Sequence, residues 1–190
     1  MKQIIMSLAA LLAFSLSACS QSKKEGKDMN QNEKKTALVA YFSATGTTAE
    51  AAEQLAKAAN ADLYEITPEK EYTADDLNWH NKNSRSSVEM KDLKSRPAIK
   101  GKVSNLAQYD TVYLGFPIWW YTAPTIINTF IEANDLSGKR IVVFATSGGS
   151  TTERATKDLK QTYPSLTFTD GGLLNERSLE EAEQLVKKTK

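Results

Sequence analysis

The chain has 190 residues, 41% of them hydrophobic, with 24 basic side chains, 23 acidic ones and a single cysteine. Six basic and three acidic residues fall in residues 1–35, so residues 36–190 carry 18 and 20, a net charge of −2. That balance lacks the basic field a nucleic-acid partner needs, and one cysteine excludes an internal disulfide.

Residues 1–18, within "MKQIIMSLAALLAFSLSAC", place one Lys before an apolar run from Ile4 to about Leu16. The run is short for a membrane span and ends in small residues, which predicts a secretory signal. The ending "LSAC", Leu16 to Cys19, resembles the lipobox of bacterial lipoproteins. The resemblance implies that Cys19 is lipidated and that the protein is exported and held at the membrane in the cell envelope. Residues 20–35 hold five Lys, three acids and no aromatics, the composition of a flexible tether. Residues 36–190 then form the folded domain.

Strands are predicted at "ALVAYFS" (37–43), "ADLYEITP" (61–68), "TVYLGFP" (111–117), "RIVVFATS" (140–147) and within "LTFTDGGLL" (166–174). Helical spacing fills 47–60, 123–133, 150–162 and 178–188. Apolar strands alternating with helices predict an α/β fold: a three-layer, doubly wound, five-stranded parallel sheet. A long polar insertion at about 69–105 interrupts the alternation. Within it "TADDLNW" (73–79) predicts a short helix capped by Thr73 and Asp76. Trp79, His80 and Arg85 mark the insertion as partly functional, with Trp79 and His80 as candidates for a lid, although a solvated loop imidazole is the better reading of His80.

Ligands of such sheets bind beyond the carboxyl ends of the strands, which directs the search to three turns. "SATGTT" carries Ser43, Ala44, Thr45, Gly46, Thr47 and Thr48 ahead of a helix. It reads either as a phosphate cradle of hydroxyls and helix N–H groups or as a hydroxyl-rich helix cap. Neither GxxxxGK[ST] nor GxGxxG is present. "PIWWY" places Pro117, Ile118, Trp119, Trp120 and Tyr121 after the third strand. Its adjacent indoles form a stacking platform for a flat ring, or else one packs under the loop. "TSGGS" supplies Thr146, Ser147, Gly148 and Gly149, whose amides can reach a ligand edge or form a plain turn.

Taken together, strand–"SATGTT"–helix, strand–"GFPIWWYTAP"–helix and strand–"ATSGGS"–helix resemble a flavodoxin over about residues 36–188. The resemblance implies the strand order 2-1-3-4-5 and FMN as cofactor. It assigns the phosphate to Ser43–Thr48, with Thr47 where asparagine is common, and the ring to Pro117–Trp120. The polar ring edge falls to Thr146–Gly149. It also implies electron transfer to a redox protein partner or a small quinone-like acceptor, with no side chain acting as acid, base or nucleophile and no metal. An FMN-dependent NAD(P)H:quinone-type oxidoreductase on the same fold is the alternative, and a flavin-free binding protein a third reading. Two departures stand out: "TSGGSTTE" has no second stacking aromatic, and residues 117–123 contain no glycine.

Overall fold

The structure, a computed structural model, describes residues 36–190. The predicted signal, Cys19 and the tether lie outside the described residues. Five parallel strands form one sheet: β1 (Ala37–Tyr41), β2 (Asp62–Glu65), β3 (Thr111–Pro117), β4 (Arg140–Thr146) and β5 (Thr167–Leu173). Their order is β2-β1-β3-β4-β5, as expected. Five α-helices accompany them among the described residues: α1 (Thr47–Ala58), α2 (Arg85–Lys91), α3 (Thr125–Ala133), α4 (Glu153–Thr162) and α5 (Leu179–Thr189).

The strands at the centre are buried on both faces, which is why they read as apolar runs without alternation. Edge strand β2 alternates instead, half-buried and exposed in turn. The period of two sorts side chains between the layers. Leu38, Ala40, Val112, Leu114, Phe116, Ile141 and Val143 pack with α3 and α4 through Ile126, Ile127, Phe130 and Leu159. Val39, Tyr41, Tyr113, Val142 and Phe144 pack with α1 and α5 through Ala51, Leu55, Ala182 and Leu185. Each fully buried Leu, Ile, Val or Phe contributes about 2 kcal/mol relative to exposure. In β5 the pairing slips by one residue between Val143 and Phe144, at Gly171 and Gly172. Gly171 approaches the Val143 carbonyl too closely for a Cβ, which would sit 2.7 Å from that oxygen.

The insertion departs from expectation in one respect. Thr73 and Asp76 do form a reciprocal pair: Thr73 N–H donates to Asp76 Oδ2 at 3.0 Å and Asp76 N–H to Thr73 Oγ1 at 3.1 Å. Yet residues 74–77 and 79–80 form turns rather than a helix. Asn78 and Asn81 explain this, because their side chains accept the N–H groups of His80 and Asn83 and compete with helix propagation. The insertion's helix is α2, started by Ser84, whose Oγ accepts from Ser87 N–H at 3.3 Å.

Candidate functional site

The sheet order reverses between β1 and β3, and the three predicted turns meet at the carboxyl ends around that point. Thr146 is their junction. Its Oγ1 shares a 2.8 Å hydrogen bond with Thr48 Oγ1, and its carbonyl accepts from Ile118 N–H at 2.9 Å. Both threonines are buried, so they join the turns rather than offering their hydroxyls to solvent.

In the first turn Gly46 takes φ +89°, a left-handed conformation that only glycine adopts cheaply. As the residue preceding α1 it has no side chain to cap the helix, so the first-turn N–H groups keep their positive dipole end uncapped. Ser43 Oγ is buried without a partner, an uncommon and costly state for a hydroxyl. Thr45 and Thr47 approach each other at 3.4 Å on the exposed side, and half-buried Ala44 packs against the core. The turn contains no cation, and the Arg177 guanidinium near α1 is engaged with Glu50 at 3.4 Å. Donors without an acceptor, at a helix N-terminus, are the chemistry of an anion cradle.

The second turn closes as a two-residue hairpin. Trp119 and Thr122 exchange both backbone hydrogen bonds at 3.0 Å, which leaves Trp120 at φ +46° and Tyr121 at φ +69°. Positive φ at two bulky residues is strained, and such strain persists only where surrounding structure imposes it. The indoles serve different ends. Trp119 is half-buried, edge-on to Phe42 at 5.6 Å and to Tyr72 at 5.4 Å between ring centroids. Trp120 is 41% exposed and stands free of the core.

A cleft of about 560 Å³ opens beside them, lined by Ile118, Trp119, Trp120 and Tyr121 on one side and Ser147 to Ser150 on another. Its third wall is the insertion, through Leu77, Trp79 and Ser86. Pro117 ends β3 just below, half-buried. Trp79 therefore borders the cleft, whereas His80 stacks on Trp79 at 3.5 Å and is not among the lining residues. In the third turn Ser147 Oγ accepts the N–H groups of Gly149 and Ser150, at 3.3 and 2.8 Å.

Sequence reasoning missed how the insertion is held. Tyr72 donates its hydroxyl to Glu89 at 2.6 Å, and Arg85 lies 3.8 Å above the Tyr72 ring while bonding Glu89 at 2.7 Å. Burial, then the Glu89 carboxylate, hold the Tyr72 phenol above its ordinary range, so it remains a donor. Arg85, flagged in the sequence, thus secures the wall instead of facing the cleft. Its four-residue spacing from Glu89 was the available signal. No cluster of metal-ligating side chains occurs among the described residues.

The flavodoxin family model matches residues 34–189. A candidate flavoprotein from Bacteroides uniformis ATCC 8492 is 55% identical, covering 82% of this chain and 99% of its own, with a TM-score of 0.79. A candidate flavoprotein from Bacteroides eggerthii DSM 20697 is 54% identical, covering 81% and 97%, with a TM-score of 0.78. A flavoprotein from Lactobacillus acidophilus NCFM, solved in complex with FMN, shares the fold at 18% identity and a TM-score of 0.62, covering 82% and 98%. None of the curated proteins matches.

Proposed function

We propose, for a chain that belongs to the flavodoxin family, that it binds FMN at the three joined turns and transfers electrons. The observation that carries this reading is the pairing of an uncapped helix N-terminus, beside the orphaned Ser43 hydroxyl, with an aromatic-walled cleft one hydrogen bond away through Thr146. FMN, a phosphomonoester on a flat tricyclic ring, supplies reversible one- and two-electron redox chemistry when bound.

The residues present fit it. Ser43, Thr45, Thr47 and the α1 N–H groups would hold the phosphate without a cation. Ile118 and Trp120 would cover a ring face, Trp119 backs the hairpin against Phe42, and the Gly148 N–H of the third turn would be open to the ring's polar edge. Walls of indole and aliphatic carbon disfavour added negative charge, which would lower the potential of the last reduction step. The sequence Leu16–Cys19 supports a lipid tether to the membrane, with a redox protein or a small quinone-like molecule as partner.

An FMN-dependent NAD(P)H:quinone-type reductase is the second reading, favoured by the open rim where Trp79, Trp120 and Tyr121 are 65%, 41% and 62% exposed. Purified residues 36–190 are expected to take up FMN and turn yellow, accept electrons on photoreduction, and oxidise negligible NAD(P)H alone. Steady NAD(P)H turnover with a quinone would replace the carrier by the reductase. Colourless protein that takes up no FMN would end both. Full-length chain recovered from membranes should lose its lipid, by mass spectrometry, on Cys19→Ser.

A further inference from the structure

We infer that Asn175, outside the cleft and in the turn between β5 and α5, is a positioning residue that presents the third turn to the flavin ring. The inference rests on the FMN reading above. Ser147 N–H donates to Asn175 Oδ1 at 2.9 Å, and Asn175 Nδ2 donates to the Ser147 carbonyl at 2.8 Å. Only one orientation of the amide satisfies both, because the peptide's donor and acceptor are fixed. The pairing between β4 and β5 ends where Leu174 N–H meets the Ala145 carbonyl at 2.9 Å. The Asn175 side chain then makes the next rung that the backbone does not.

Asn175 is itself held. Its N–H donates to Glu181 Oε1 at 3.1 Å, and the N–H groups of Glu176 and Arg177 donate to Oε2 at 3.0 and 3.2 Å. Glu181 is in turn fixed by the Ser178 cap of α5, whose Oγ accepts its N–H at 3.1 Å. A rigid helix end is thereby connected to an exposed glycine pair through one side-chain amide. The consequence for the ring is specific. Asn175 occupies Ser147 N–H, and Ser147 Oγ occupies those of Gly149 and Ser150. Within residues 147–150, the Gly148 N–H is the one amide left without an acceptor among the described residues. The clamp thereby selects which donor stays open in a residue that lines the cleft.

The test uses Asn175→Ala and Asn175→Asp in the 36–190 domain, titrated with FMN and with riboflavin, which lacks the phosphate. Losing two hydrogen bonds should weaken both flavins about tenfold in the Ala variant, and by less in the Asp variant, which keeps the acceptor. The ratio of FMN to riboflavin affinity should stay at the wild-type value, since the phosphate cradle is untouched. In the flavin-free protein, hydrogen exchange at the Ser147 amide should accelerate in the Ala variant while the β4 amides keep their protection. Unchanged affinities and unchanged Ser147 exchange would overturn the inference, as would a fall in the FMN-to-riboflavin ratio. If the Ala variant does not fold, the Asp variant decides by the same criteria. Wild-type protein that binds neither flavin removes the functional reading and this inference with it, whereas wild-type binding with indifferent variants removes the inference alone.

Discussion

Gly115 illustrates how one position can be dictated by a neighbour distant in the chain. It lies in β3 on the face shared with Tyr113, and the ring of Phe144 from β4 fills the space above it. A Cβ built there would lie 2.1 Å from Phe144 Cζ. Neither residue is replaceable alone, because the ring is fully buried and has no room to move. Gly115→Ala should destabilise the domain by about 3 kcal/mol in chemical denaturation. Phe144→Leu in the same background should return part of that loss, and strictly additive single and double variants would refute the contact. Thr48 and Thr146 make the complementary case: two small hydroxyls, buried and bonded to each other, join two turns that a sequence shows only as separate loops.

Among the elements, the hairpin at Trp119–Thr122 carries the clearest conflict between stability and function. A two-residue turn with positive φ at both positions ordinarily selects Asn-Gly, and here it holds Trp120 and Tyr121. The absence of glycine from residues 117–123 therefore does not keep the turn out of left-handed conformations. Backbone bonds to Thr122 and Thr146 impose them. Replacing Trp120 and Tyr121 by Asn and Gly should raise the flavin-free domain's stability by about 2 kcal/mol, measured by denaturant melts. The same change should weaken FMN about tenfold through loss of the stacking indole. Gain of stability with no loss of affinity would assign the ring face to Trp119 instead. The insertion, for its part, is docked rather than loose: Arg96 bonds Glu132 of α3 at 2.8 Å, and Tyr163, just after α4, donates to the same carboxylate at 2.7 Å.

For the molecule as a whole, that docking predicts a pH dependence. Hydrogen bonding to Arg96, the largest cause, and to Tyr163 holds the Glu132 carboxyl below the ordinary glutamate range. A carboxyl lowered on folding stabilises the native state above its unfolded pKa, and that contribution is lost as pH falls through the folded value. Glu132→Gln should therefore lower thermal stability near pH 7, and its deficit should shrink in acid, below the ordinary glutamate pKa. A deficit that stays constant with pH would show that Glu132 acts by packing alone. The near-neutral charge of the domain leaves such local pairs, rather than a long-range field, to govern its electrostatics.

The parallel, doubly wound sheet was legible in the residues because strands buried on both faces must be apolar throughout and helices between them must be amphipathic. The positions of the three turns followed from the same alternation, and the hydroxyls of "SATGTT" and the indoles of "PIWWY" announced their chemistry locally. Only the tertiary structure decided that Thr146 joins the turns, that Tyr72 and Arg85 brace the insertion, and that Asn175 holds Ser147 from 28 positions away. It also moved the insertion's helix from 73–79 to α2, where asparagine side chains no longer compete for the backbone. Periodicity records which face of an element is buried. A hydrogen bond between residues far apart in the chain leaves no period, so its partners emerge only when folding brings them together.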